Sequence, residues 1–262
     1  MTAVLASVTS IEEAELVLAA GADLIDLKDP SAGALGALPG ETIRAVVARI
    51  AGRRPVSATV GDLPMVPRTV ATAVARAARL GVDIVKVGLF PGGNREACLE
   101  VLADEARRGR RIVLVMFADQ RLDFSLIERA RDLGLAGVML DTADKRGGGL
   151  RRHLDEATLA AFTARARGAG LLCGLAGSLA LADIPALLPL RPDYLGFRGA
   201  LCRDGRTTAL DPARVRAVCA AVRGASAGQP AAVRAAIAAA GAQRAAHSRT
   251  SAGPETSAAK SV

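Results

Sequence analysis

Leu24-Ile25-Asp26-Leu27-Lys28-Asp29-Pro30 places Leu24, Asp26 and Lys28 on one side of an extended chain and Ile25 and Leu27 on the other. Successive side chains of a strand point to opposite faces, so one face of this stretch is apolar while the other carries an acid and an amine two positions apart. Asp29-Pro30 ends the strand, because proline cannot extend a hydrogen-bonded ladder. A strand that turns Asp and Lys inward near its C-terminal end is poorly made for a core and well made for an active site.

Working outward, short β-rich runs alternate with helical patterns eight times. Ala3–Val8 is a first strand, followed by a helix opened by Ser10 and Glu13 as a capping box. Leu24–Lys28 is the second strand, with a helix from about Glu41 to Ala51. Pro55–Asp62 is the third, with Ser57, Thr59 and Gly61 on one side, and a helix runs from Pro67 to near Gly81. Ile84–Leu89 is the fourth and sets Lys86 opposite Val85 and Val87; its helix ends at about Arg108. Ile112–Asp119 is the fifth, followed by a helix over Leu126–Gly134. Gly137–Asp141 is the sixth; it leads into a flexible loop, Thr142–Gly149, and a helix over Asp155–Gly168. Leu171–Ser178 is the seventh, with a short helix from Asp183. Tyr194–Ala200 is the eighth, before a helix with Asp211 at its N-cap and Pro212 at its first position.

Eight strand–helix units within residues 1–224 fit a single (β/α)8 TIM barrel. A doubly wound open sheet is the alternative; such sheets usually have fewer strands, and no G-x-G-x-x-G follows the first strand here. Residues 225–262 are Ala, Gly, Ser, Gln and Thr with scattered Arg, too poor in large apolar groups to offset ordering, and read as a disordered extension without a catalytic part.

The bulk numbers agree. The 262 residues are 51% hydrophobic but only 2% aromatic, with no Trp and one Tyr. A core of Ala, Val, Leu and Ile suits helices laid on a buried parallel sheet. The formal charge is +8, of which Arg234, Arg244, Arg249 and Lys260 against Glu255 place three in the extension and leave +5 for the rest. The dense run Arg107-Arg108-Gly109-Arg110-Arg111 reads as a helix C-terminus with a glycine cap. With so few aromatics for base stacking, no nucleic-acid partner is expected. Cys98, Cys173, Cys202 and Cys219 show no C-x-x-C spacing, and His153 and His247 are far apart, so neither a zinc site nor a Ser-His-Asp triad is indicated. Unpatterned cysteines and no leader pattern predict reduced thiols in a cytoplasmic protein. No apolar run is long enough to span a bilayer, and no membrane partner is expected.

Of 34 Lys and Arg, only Lys28, Lys86, Lys145 and Lys260 are lysines. Arginine serves wherever a generic cation is needed, whereas a lysine can lose its proton when buried and act as nucleophile or base. Three of the four lie at strand ends on the side where a (β/α)8 barrel builds its active site. That mouth collects Asp26, Lys28, Thr59, Asp62, Lys86, Asp119, Asp141, Lys145 and Arg198. Interleaved amines and carboxylates suit carbonyl chemistry: one lysine condenses with an aldehyde or ketone while its neighbours move protons. Free lysine titrates near 10.4, so only about one in a few thousand is an amine at pH 7; burial beside cations brings it to about 7–8. The plainer reading of Asp26 and Asp141 is a structural ion pair with these lysines. Ala176-Gly177-Ser178 and Arg198-Gly199-Ala200 follow strands seven and eight, where barrels bind phosphate through loop N–H groups, although Gly-Ser is also an ordinary turn. Gly147-Gly148-Gly149 reads equally as the hinge of a lid carrying Arg151 or Arg152 and as a surface loop.

IDLKDPSAGALGA, SATVGDLP, VKVGL, MLDTADK, LAGSL and FRGALC resemble the (5-formylfuran-3-yl)methyl phosphate synthases of methanofuran biosynthesis, from the N-terminus to about Cys219. The D-x-K-[DN]-P run and the acid and lysine four apart in LDTADK are the most specific parts. The resemblance implies a (β/α)8 barrel lyase that joins two glyceraldehyde 3-phosphate molecules into a furan aldehyde phosphate, releasing one phosphate and water. It implies Lys28 as the Schiff-base lysine and Lys86 as proton acceptor. Asp26, Asp141 and Lys145 would assist proton transfer and dehydration, and no metal or organic cofactor is implied. Gly177, Ser178, Arg198, Gly199 and Thr59 are the candidate substrate- and phosphate-binding residues. Phe117–Arg121 is only loosely like the family, so no role passes to Asp119 or Arg121. A small-molecule sugar phosphate is the expected partner and a homo-oligomer the expected assembly. Two other readings stand beside this one: a Schiff-base aldolase on another sugar phosphate, and a non-catalytic sugar-phosphate-binding barrel.

Overall fold

In a computed structural model, which describes residues 1–224, eight parallel strands close in sequence order into a barrel. The extension over 225–262 lies outside the described residues. The strands are β1 (Ala3–Val8), β2 (Leu24–Leu27), β3 (Val56–Thr59), β4 (Ile84–Gly88), β5 (Ile112–Phe117), β6 (Gly137–Asp141), β7 (Leu172–Leu175) and β8 (Tyr194–Phe197). The connecting helices include α1 (Ile11–Ala19), α2 (Gly40–Ile50), α3 (Pro67–Arg79), α4 (Arg95–Arg107), α5 (Ser125–Asp132), α6 (Leu150–His153), α7 (Glu156–Gly168), α8 (Ile184–Leu187) and α9 (Pro212–Gly224).

Strand alternation divides the apolar residues into two cores. Outward-facing Val4, Ala6, Ile25, Leu27, Val85 and Val87 pack against the buried stripes of the helices, such as Val70, Val74 and Ala77 of α3. Inward-facing Leu5, Leu24, Ile84, Val113, Met139 and Tyr194 fill the barrel itself. Tyr194, the one tyrosine, reaches across the interior and donates to Met139 Sδ at 3.6 Å. Only a glycine fits on the neighbouring strand, since a Cβ on Gly174 would lie 2.3 Å from the Tyr194 ring.

Helix starts follow their capping residues. Asp211 accepts from the N–H groups of Ala213 and Arg214 at 2.8 and 3.0 Å and opens α9 with Pro212 in first position. Asp155 and Asn94 do the same for α7 and α4. No helix among the described residues is long and apolar enough to cross a membrane.

Two local expectations need correction. Ser10 caps α1 by accepting from Glu13 N, but the Glu13 carboxylate returns to Thr9 N at 2.8 Å rather than to Ser10, so the capping box is not reciprocal. The third strand stops at Thr59 instead of Asp62. Beyond it, Gly61 N donates to Leu35 O, and the Asp62 carboxylate accepts from Ala34 N and Leu35 N at 2.8 and 2.7 Å, bracing the loop after β2. Directly after Gly147–Gly149, α6 begins, and Leu150 N donates to Gly177 O at 2.8 Å. Arg151 pairs with Asp183 at 3.3 Å.

Candidate active site

Strand register decides which polar residues meet. Ser7, Asp26 and Ser57 stand level on β1, β2 and β3, all facing inward. Asp26 Oδ2 accepts from Ser7 Oγ at 2.9 Å, and Oδ1 accepts from Ser57 Oγ at 2.6 Å. Lys86, from the middle of β4, completes the cluster with Nζ 2.7 Å from Asp26 Oδ1. This first lysine–aspartate pair is nearly closed to solvent, with side-chain exposures of 3% and 0%.

The second cluster centres on Asp141 at the end of β6. Its Oδ1 accepts from Lys145 Nζ at 2.5 Å and from Thr142 N at 2.8 Å, and Oδ2 accepts from Lys28 Nζ at 3.4 Å. The four-residue spacing from Asp141 to Lys145 lets the loop fold back so that the amine meets the carboxylate that begins it. Both clusters line one cavity of about 380 Å³ at the C-terminal end of the barrel.

Two ammonium groups on one buried carboxylate cannot both be fully compensated. Burial pushes Asp141 upward, but Lys145, Lys28 and the Thr142 N–H more than offset it and hold the acid well below the usual carboxylate range. Lys145 is lowered by burial, opposed by Asp141 and assisted by Lys28. Lys86 is likewise lowered, by burial first, with Asp26 opposing and Lys28 assisting. The site therefore holds buried amines biased toward losing a proton, next to a carboxylate that stays charged.

The loops after β7 and β8 form the opposite wall, with Gly177, Ser178 and Gly199 on the cavity. Gly177 and Ser178 both take positive φ, 105° and 47°, and Gly199–Leu201 is a single 3-10 turn. Among the described residues, the N–H groups of Ser178, Leu179, Gly199 and Ala200 meet no acceptor. Such a cluster of orphan donors has the chemistry to hold an anion.

Two candidate residues sit otherwise than the sequence suggested. Arg198 lines the cavity, but all five of its N–H donors are taken: Nε by Arg206 O, Nη1 by Ser7 O and Glu13, and Nη2 by Glu13 and Thr208 O. Thr59 is buried, and its hydroxyl donates to Gly36 O at 2.8 Å, with Leu27 O at 3.3 Å, so it holds the loop after β2 rather than facing the cavity. Asp119 accepts from Ala143 N and Asp144 N and shapes the loop after β6. Sequence reasoning missed Ser7, whose signal was its inward position on β1, and Arg206, which also lines the cavity.

The architecture belongs to the (β/α)8 barrels. Phosphoribosyl anthranilate isomerase from Thermus thermophilus superposes with a TM-score of 0.62, covering 86% of this chain and all of that one; at 17% identity this is a likeness of fold alone. Sequence narrows the class. Residues 4–219 match the family model described as 4-HFC-P synthase. A Methanosarcina mazei (5-formylfuran-3-yl)methyl phosphate synthase is 36% identical over 217 residues, 79% of this chain and 93% of its own length. A Methylorubrum extorquens protein provisionally given the same name is 47% identical over 220 residues, 84% of this chain and 91% of its own. The chain belongs to the 4-HFC-P synthase family.

Proposed function

We propose that this chain condenses two glyceraldehyde 3-phosphate molecules into (5-formylfuran-3-yl)methyl phosphate, releasing phosphate and water, through a Schiff base on Lys28. The observation that carries the reading is the meeting of two lysine–aspartate pairs, Lys28–Asp141 and Lys86–Asp26, in one cavity faced by an anion cradle. Family membership supports the product.

The chemistry divides among the residues. The Lys28 amine attacks the carbonyl of one triose phosphate, and loss of water leaves an iminium that makes the neighbouring C–H acidic. Lys86, biased toward the free amine by burial, accepts such a proton, and Asp26 fixes its Nζ while Ser7 and Ser57 fix Asp26. Asp141 and Lys145 stand on the other side of Lys28, where Lys145 delivers protons to leaving oxygens and Asp141 holds both amines in place. The N–H cradle orients a phosphate group.

The test adds glyceraldehyde 3-phosphate to the full chain and follows near-ultraviolet absorbance together with free phosphate. A protein with no Trp and one Tyr has a low background. A conjugated furan aldehyde and phosphate appearing together are the expected result. Consumption of substrate without phosphate would instead mark a Schiff-base aldolase, and binding without turnover a non-catalytic barrel.

A further inference from the structure

We infer that Arg206 is the cation that binds the substrate's phosphate, completing the N–H cradle of the β7 and β8 loops and making the site specific for phosphorylated trioses. The inference rests on the triose-phosphate reading above and assigns its charge recognition to a residue outside the strand ends.

The cavity holds five basic side chains, and four of them are engaged by a carboxylate: Lys28 and Lys145 by Asp141, Lys86 by Asp26, and Arg198 by Glu13. Arg206 has no carboxylate within 4.0 Å among the described residues and uses one donor, Nη2 to Gly33 O at 3.1 Å. The rest of its planar fork, Nε and Nη1, meets no acceptor among the described residues. A guanidinium holding donors in a fork matches phosphate oxygens in pairs, and a charged hydrogen bond is roughly twice as strong as a neutral one.

Position agrees with chemistry. Arg206 stands beside the cradle, since a Cβ on Gly199 would lie 3.9 Å from Arg206 Cβ. Its carbonyl accepts from Arg198 Nε at 2.9 Å, so the buried Arg198–Glu13 pair anchors the loop that presents it. The bond to Gly33 O reaches the loop that follows Lys28, placing the fork between the cradle and the strand bearing the reactive amine.

The test uses the full chain as wild type, Arg206→Gln, Arg206→Lys and Arg203→Gln, the last being an exposed arginine of the same loop, 3.8 Å from Asp211. Calorimetry measures binding of inorganic phosphate and of glycerol 3-phosphate, which lacks the reactive carbonyl. Steady-state kinetics gives KM and kcat with glyceraldehyde 3-phosphate, and borohydride trapping of unphosphorylated glyceraldehyde reports Lys28 alone. Arg206→Gln is expected to weaken both probes and raise KM by about 10- to 100-fold, with trapping of glyceraldehyde unchanged. Arg206→Lys recovers part of the affinity, and Arg203→Gln behaves as wild type. Wild-type affinity for both probes in Arg206→Gln overturns the assignment, as does a loss of trapping in step with phosphate binding. A wild type that forms product while Arg206→Gln keeps its KM removes the arginine alone. A wild type that binds neither probe and forms no product removes the underlying reading too.

Discussion

Lys28 Nζ lies 3.4 Å from Asp141 Oδ2 although β2 and β6, which position them, stand on opposite sides of the closed barrel. The pair crosses the whole interior and joins residues 113 positions apart. Neither residue can reach the other until the barrel is closed, so the reactive geometry is a property of the complete fold.

Lys28→Arg keeps the positive charge but cannot form an imine. It is expected to lose turnover by at least about 10³-fold and to abolish borohydride-dependent mass addition from an aldehyde. Mass spectrometry of the trapped protein is the check. Trapping that persists in Lys28→Arg and vanishes in Lys86→Arg would move the Schiff base to the other lysine.

Lys86 is lowered from 10.5 by burial, and Asp26 is the group that pulls it back up. The free-amine fraction grows as pH rises through this depressed value, so kcat/KM should climb with pH on its acidic side. Asp26→Asn removes the opposing carboxylate and should move that limb to lower pH on whatever activity remains. A pH–rate profile measures it, and an upward move would contradict Lys86 as the proton acceptor.

Asp141→Asn leaves two buried amines facing an amide. The expected cost is about 3 kcal/mol of unfolding free energy near neutral pH, read from urea denaturation. Asp141 is held below its ordinary 3.8, so the folded state binds its proton less readily than the unfolded chain does. The stability it contributes is present above that ordinary value and is lost as pH falls through the folded one. The gap between wild type and variant should therefore close in strong acid. An equal gap at all pH values would assign the loss to packing instead.

Glu13→Gln leaves the buried Arg198 guanidinium without its counter-charge and should cost about 3 kcal/mol. The folded fraction should raise its KM along with the loss of stability, because Arg198 acts through the loop it anchors. A raised KM at unchanged stability would return Arg198 to the role of a direct phosphate ligand.

Much of the architecture was legible because periodicity is local. Two-residue alternation in Leu24–Lys28 and Ile84–Leu89, with Gly and Pro between runs, marks strands whatever surrounds them. The lysines stood out by chemical contrast in an arginine-rich chain. What local pattern cannot supply is register and long-range partnership. Ser7 and Ser57 matter because they stand level with Asp26, which only the closed sheet determines. Glu13 sits at capping-box spacing from Ser10, yet its carboxylate is claimed by Arg198, 185 residues away. Thr59 faces inward by alternation, but the carbonyl of Gly36 captures its hydroxyl at 2.8 Å. Arg206 follows Gly205 in a stretch with no periodicity, and nothing local distinguishes it from Arg203.

The fit of Tyr194 against Gly174, with Leu5, Leu24, Ile84 and Val113 around it, plugs the far end of the barrel. Leu5 and Met139 of this apolar layer also line the cavity, so the layer forms its floor. On the proposed reaction, two trioses would enter and phosphate and a furan would leave above this floor. The triose seated deepest, against Lys28 and Lys86, would then be the first to enter and the last to leave.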